Sequence, residues 1–369
     1  MIIRVNKLAL ISIISFSGYY ITKMPLSPIY VFVVIGLILS LASIAISFKV
    51  YMNKIIVIAI IFLIYILLSE WLLMTANISP ISNFIISIVV FVSVYTISYK
   101  SRSDIIINAS EKMIYFSLPL LAYEAWYRIS NPVFYVDFAS RNRPDLEFYY
   151  FKYNSVMYMD SNFVGIFVLM LIFFLLYIKQ YTNKNYYILF AMLITLDILS
   201  ISRASIIAML IFLLLYPFRL HFYRYKKILL TISILIVPFL FMIKFDMLHV
   251  TDDSLSTKFD IIERTNKYFT EANYIDKVFG VGFGNAFQVL DIGAHNIFVG
   301  YLVESGAVGL MLFIYLWSRI LFDSKYKAGI VMFPYLLNGM SLSSIANPYL
   351  YAMFAVILVL EKKKLMYGE

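Results

Sequence analysis

Apolar runs of about 15 to 23 residues recur along the whole chain, each long enough to cross the hydrocarbon core of a bilayer as a helix. They lie near 7–22, 29–48, 54–73, 82–99, 113–129, 160–178, 186–202, 204–218, 228–243, 296–318, 328–342 and 348–360. The composition agrees. Hydrophobic residues make up 62% of the 369 and charged residues only 14%, against roughly 45–50% and 25% in soluble domains. The expected fold class is therefore all-α: one polytopic integral membrane domain spanning 1–369, with about 12 transmembrane helices. The runs 186–202 and 204–218 are short and share a tight turn at Ser202-Arg203; a reentrant hairpin there leaves the flanking sidedness unchanged. Arg4 and Lys7 followed by an apolar stretch resemble a signal peptide, but no small-x-small cleavage site follows, so this reads as a retained first helix. Cysteine is absent, which excludes disulfides and thiolate metal sites. No metal or other cofactor is expected.

Basic residues orient the parse. With the N-terminus cytoplasmic, most of the 30 lysines and arginines fall on the inner side, as the positive-inside rule requires, and both termini are then cytoplasmic. The positive net charge accordingly reads as lysines facing anionic lipid, and the chain carries no stacked-aromatic basic motif or nucleotide-binding glycine loop. Nucleic acid is not an expected partner; membrane lipid is.

Two connections are too long to be simple turns. Residues 130–159 and 244–295 both fall outside by this parity. The first is dense in aromatics and carries Arg141 and Arg143, which either contact a substrate or form a solvated pair. The second contains "STKFDIIERTNKYF", with Ser256 at a cap position and Phe259, Ile262 and Phe269 at helical spacing. A short amphipathic helix over the outer face is expected there.

Ionisable residues inside spans are costly and by default mark a cavity or pathway. Glu70, Glu124, Asp197 and Glu304 all fall in the outer halves of their helices, which suggests an outward-open polar pocket. Glu124 stands one turn from Arg128 and Asp197 near Arg203, so ion pairing is the alternative for both. His295 opens the tenth span. It reads either as a hydrogen-bonding residue at a helix start or as a base, and Glu304 would lie about 13 Å deeper along the same helix. Gly300, Gly306 and Gly309 suit close helix packing.

A more specific pattern joins these residues. His295-Asn296, nine residues, then "GAVG" resembles a signature of the O-antigen ligase and O-antigen polymerase superfamily. "MDSNFVG" (159–165) is similar to that superfamily's Asp-Pro-Asn-x-x-Gly helix entry, with Ser161 in place of proline and Asn162 at the asparagine. "LSISRASIIAML" (199–210) resembles its Ser-Arg turn. "SLSTKFDIIERTNKYF" and "VFGVGFGNAF" resemble its outer-loop helix and the glycine turn before the histidine. The resemblance covers roughly 159–320.

It implies a membrane glycosyltransferase of the GT-C type, with two long extracytoplasmic loops, in the bacterial inner membrane. The implied donor is a glycan on undecaprenyl pyrophosphate, and a chain-length regulator protein is an implied partner. Arg203 and His295 are the implied catalytic residues. Arginine can hold departing phosphates through its bidentate fork, and a base can take the proton of an acceptor hydroxyl. Arg203 alternatively only snorkels to the interface. Should His295 be structural, Asp160, Asp291 and Glu124 are the remaining bases. Lys258 takes the place of the family's loop arginine, and Arg264 stands six residues on, about 240° around a helix, so which of them meets phosphate stays open. Arg141, Arg143, Asn162, Asn296 and Glu304 complete the expected substrate-binding set. The expected activity is polymerisation of lipid-linked repeat units in lipopolysaccharide or capsule biosynthesis. Ligation of the finished glycan to lipid A core is the alternative within the superfamily. A flippase or transporter is the alternative outside it, disfavoured by the lack of an internal repeat and by charges crowding one half of the spans.

Overall fold

The computed structural model describes residues 2–47, 53–73, 77–134, 150–158, 160–216, 253–342 and 346–367. Among them the chain is helical throughout, with one isolated antiparallel bridge between Ile21 and Met157. In chain order the helices are α1 (Ile2–Phe16), α2 (Pro28–Ser47), α3 (Lys54–Leu73), α4 (Ile78–Lys100), α5 (Ser103–Ser130), α6 (Ser161–Ile178), α7 (Tyr187–Leu199), α8 (Arg203–Leu215), α9 (Asp253–Glu271), α10 (Tyr274–Phe279), α11 (Ala286–Leu290), α12 (Ile297–Asp323), α13 (Gly329–Gly339) and α14 (Pro348–Tyr367). The expected span at 228–243, the residues Arg141 and Arg143, and the side chain of Ser256 lie outside the described residues.

Among the described residues five helices are long and apolar enough to cross a membrane: α3, α4, α5, α6 with the 3-10 turn that extends it to Tyr181, and α12. This is a helical membrane protein. Burial sorts its helices into inner and outer ones. In α6 every residue except Asn162, Phe163 and Leu176 is buried, and α14 is buried continuously from Pro348 to Glu361. A helix that is apolar all round and covered all round belongs at the centre. In α2, by contrast, Val31, Val34, Ile38 and Leu41 are exposed at helical spacing and form a stripe toward lipid.

The ends of the bundle are tied by polar contacts. At the lower end, Lys184 pairs with Glu111 at 2.7 Å and the Tyr181 hydroxyl donates to Glu361 at 2.6 Å. At the upper end the segment after α1 pairs with 154–157: the Thr22 N–H donates to the Val156 carbonyl at 3.0 Å, beside the Ile21 and Met157 bridge. Helices α7 and α8 have 13 residues each, about 20 Å at 1.5 Å per residue, short of the ~30 Å core. Their turn folds onto α6 at Gly165, where a Cβ would stand 2.6 Å from Ser202 Cβ. The Ser205 hydroxyl donates to the Gly165 carbonyl at 2.9 Å.

The span expected to run unbroken through 296–318 is interrupted. Gly306 in α12 has φ 68 and ψ −176, a backbone state that L side chains rarely adopt. The break receives the glycine-rich turn after α10: the Val281 N–H donates to the Val303 carbonyl at 3.0 Å and the Gly282 N–H to the Glu304 carbonyl at 2.9 Å. The fit is tight, since a Cβ on Gly306 would lie 2.2 Å from the Val278 oxygen. Gly306 thus serves an inserted turn rather than a neighbouring helix.

Candidate functional site

The upper end gathers the charged residues that the resemblance singles out. Helix α6 begins at Ser161 because Asp160 caps it. The Asp160 carboxylate accepts from the Asn162 N–H at 2.8 Å and from Asn162 Nδ2 at 3.1 Å, satisfying donors a helix start otherwise leaves open. On its other side Asn162 Oδ1 accepts from Lys152 Nζ at 3.2 Å. Lys152 is 4% exposed. Burial pulls its ammonium down to about 8; Asp160 resists the shift, and Arg203 and Arg128 add to it.

Arg128 is wholly buried and structural. Its Nε pairs with Glu124 at 3.0 Å, and its other nitrogens donate to the Phe151 and Leu199 carbonyls. It therefore clamps the turn that carries Lys152 to the end of α7. Asp197 Oδ1 accepts from the Ser205 hydroxyl within the α7–α8 hairpin, while Oδ2 is buried without a partner among the described residues. Arg203, in contrast, is an exposed residue at the first position of α8. A cation there opposes the helix dipole, at about 0.3–1 kcal/mol, so helix stability gives no reason for it.

His295 and Asn296 precede α12. The Asn296 side chain is its N-cap, accepting from the Phe298 and Val299 N–H groups at 2.9 and 3.3 Å. His295 and Asn296 line a cleft of about 290 Å³ with Lys258, Phe259 and Ile262 of α9 and with Met340 and Ser341. Lys258 Nζ donates to Ser341 Oγ at 2.9 Å across it. A Cβ on Gly293 would stand 3.1 Å from His295 Nε2, so the glycine leaves the ring its room. Partial burial lowers the His295 pKa, Asp160 raises it and Lys258 lowers it further.

The structure separates Lys258 from Arg264 on α9. Arg264 points to a different side of the helix, donating to the Leu290 carbonyl at 2.9 Å and to Asp291 at 3.3 Å. There it borders a second, polar cleft of about 790 Å³, lined also by Asp260, Glu263, Lys267 and Tyr268.

Glu304 and Glu70 stand apart from all this. Both are buried in their helices. Glu70 accepts from the Phe283 N–H at 2.6 Å, and Glu304 from the N–H groups of Gly284 and Ala286. These acids do not line an outward-open pocket; they satisfy the backbone of a turn seated at the depth of Val303–Gly306. Irregular backbone at such depth is tolerated only when its polar groups find protein partners.

Sequence reasoning missed Lys152. The available signal was a single lysine within "EFYYFKYNS", an aromatic stretch eight residues before the α6 cap. No family of known proteins is matched by this chain, and no curated protein is similar to it at a significant level.

Proposed function

We propose that this chain is a lipid-linked polysaccharide polymerase, an inner-membrane glycosyltransferase of the GT-C type with about twelve spans and both termini cytoplasmic. It extends O-antigen or capsule by joining undecaprenyl-pyrophosphate-linked repeat units at the periplasmic face, which is the upper end of the bundle. The observation that carries the reading is the convergence at that end. His295 and Asn296 at the start of α12 share a cleft with Lys258 of α9, and the buried Lys152 donates to Asn162 at the capped start of α6.

The chemistry follows from these groups. A hydroxyl of the acceptor unit attacks the anomeric carbon of the donor sugar, forming the new C–O bond. The bond from that carbon to the phosphate oxygen breaks, and lipid pyrophosphate leaves with the electron pair. Its leaving ability is already high, so the protein's main task is to place fixed cations where the negative charge grows. Arg203, exposed and set against its helix dipole, offers a bidentate fork for that charge. Lys258 adds a point charge from across the cleft. His295, kept neutral by its surroundings, takes the acceptor proton. Arg264, engaged with Asp291 on the far face of α9, is not part of this reaction centre.

The surface-glycan profile of a deletion strain tests the reading. A single repeat unit on the lipid A core supports a polymerase. Bare core with accumulated lipid-linked polymer identifies a ligase, and loss of periplasmic lipid-linked units altogether identifies a flippase.

A further inference from the structure

We propose that the contact between Gly165 of α6 and the α7–α8 hairpin is a binding site for a monovalent cation of the size of Na+, held by the carboxylate of Asp197 and the hydroxyls of Ser161, Ser202 and Ser205. The site stands whether or not the chain is a polymerase.

Ten buried side-chain nitrogen and oxygen atoms lack a hydrogen-bond partner among the described residues, and three of them, Ser161 Oγ, Asp197 Oδ2 and Ser202 Oγ, belong to this one contact. All three residues are buried, Asp197 with 0% of its surface exposed. Helices α6, α7 and α8 bring them together. A Cβ on Gly165 would stand 2.6 Å from Ser202 Cβ, 2.9 Å from Ser200 Oγ and 3.0 Å from Ser205 Cβ. Ser161 lies one turn before Gly165 on the same face of α6. Ser205 Oγ reaches both the Gly165 carbonyl, at 2.9 Å, and Asp197 Oδ1. A hydroxyl has a single proton, so these two acceptors share it. The contact is rich in lone pairs and poor in protons.

It is also negative. Asp197 stands in the last turn of α7, where the helix dipole adds to its charge. Helix α8 opens at the same turn, yet the partner it offers the carboxylate is the Ser205 side chain. Arg128 reaches the hairpin at the Leu199 carbonyl, but its ion pair is with Glu124. Among the described residues Asp197 has no ion pair, and an unpaired carboxylate out of water is costly.

Three species could relieve this, and they differ in what they leave undone. A proton on Oδ2 cancels the charge and leaves the Ser161 and Ser202 oxygens as they are. A water molecule joins the oxygens and leaves the charge. A cation does both, because it draws on the lone pairs of several oxygens at once. One carboxylate balances one positive charge, which selects a monovalent ion. Ca2+ takes about 6–8 oxygens, commonly with several carboxylates, and among the described residues no group of three acids or histidines is placed to hold a metal. The C-terminal ends of half-helices are a recurrent setting for Na+ in membrane proteins, and α7, with 13 residues, is such a half-helix. Ser202 immediately precedes Arg203, so an ion held there fixes the turn from which Arg203 projects.

Thermal unfolding of the full-length protein in nanodiscs, at fixed pH and ionic strength, tests the site with Na+ as the probe. A ligand of the folded state raises the unfolding midpoint by mass action. As NaCl replaces N-methyl-D-glucamine chloride, the midpoint is expected to rise and then saturate. Asp197→Asn, close in shape but uncharged, is expected to lose that rise. Ser202→Ala separates a ligand from a bystander: removing one coordinating oxygen is expected to move half-saturation about 10-fold higher in Na+, the worth of one polar contact, whereas a hydroxyl that binds nothing leaves it in place. A wild-type midpoint that is the same in both salts overturns the proposal, and so does a rise that Asp197→Asn retains. An unchanged half-saturation in Ser202→Ala overturns it whether or not the Asp197 variant folds. A midpoint that follows pH but ignores Na+ gives Asp197 a proton in the ion's place and overturns it too.

Discussion

Two parts of this molecule use carboxylates near the upper ends of helices, and they use them in opposite ways. Around the break at Gly306, Glu70 and Glu304 turn inward and accept from backbone N–H groups of the 283–286 segment, with Glu70 Oε2 left without a partner among the described residues. Around the start of α6, Asp160 accepts from the Asn162 N–H and from Asn162 Nδ2, and Asn162 in turn accepts from the buried Lys152 ammonium, so here the acid is tied into side chains. Near a membrane the residue type alone does not distinguish structure from chemistry. What distinguishes them is the partner: an acid bound to main chain holds an irregular backbone in place, whereas an acid that faces titratable side chains can act on a reaction.

The sharpest way to break the comparison is at the turn. Gly306→Ala forces φ 68 on an L residue and sets a Cβ against the Val278 carbonyl. That combination of positive φ and extended ψ is essentially glycine-only and costs another residue about 1–3 kcal/mol, and the clash adds to it because main chain cannot swing aside. The expected outcome is loss of folded protein from the membrane, read by immunoblot and fluorescence-detected gel filtration. Glu304→Gln is the milder partner. An amide keeps one acceptor oxygen but turns an NH2 toward donors, leaving one N–H unsatisfied at about 1–3 kcal/mol. Thermal stability falls while turnover per folded molecule holds. A variant of Glu304 that folds normally yet loses turnover would place this acid with the reaction instead.

Next in size are the side chains at the α6 end. His295→Ala is expected to lower chain extension by about 10² to 10⁴, the usual contribution of a general base, with protein level and lipid-linked substrate binding unchanged. Arg203→Lys keeps the charge and removes the fork, and a lost charge-assisted hydrogen bond of about 1.5–3 kcal/mol corresponds to a fall of roughly 10-fold to 150-fold. Both are measured with purified protein and lipid-linked repeat units, scored by chain length. Parental chain length in Arg203→Lys would leave that arginine as a snorkelling residue.

Much of the fold is legible in the sequence, because hydropathy reports the solvent a helix lives in. It does not report whether a helix faces lipid or protein. Helices α3 and α6 are both strongly apolar, yet α6 is covered on nearly every side and α3 is not, since lipid tails are as apolar as leucine. The break at Gly306 was invisible for a related reason: glycines in a span read equally well as packing contacts or as a positive φ, and only the inserted turn decides between them. Within the candidate site, motif order points to Arg203, His295 and Lys258. Lys152 carries no periodicity and no motif, and its importance arises only when the chain folds it between Asn162 and the charges of Asp160 and Arg203.

The smallest effect sharpens the comparison within a single helix. Lys258 and Arg264 lie on different faces of α9, one across a cleft from His295, the other beside Asp291. A lysine acting as a point charge, already donating to the Ser341 hydroxyl at 2.9 Å, contributes through space and not through a fork. Lys258→Gln is therefore expected to reduce chain extension only a few-fold, within about 1 kcal/mol. Arg264→Gln removes a half-exposed ion pair of the kind worth about 0–1 kcal/mol to stability and is expected to leave the rate unchanged. The two variants are measured side by side at low and high salt. Because the Lys258 contribution is electrostatic, its deficit should shrink as screening rises, while Arg264→Gln tracks the parent at both. If Arg264→Gln is instead the slower enzyme, phosphate is held on the Asp291 side of α9, and the reaction centre must be moved to the larger of the two clefts.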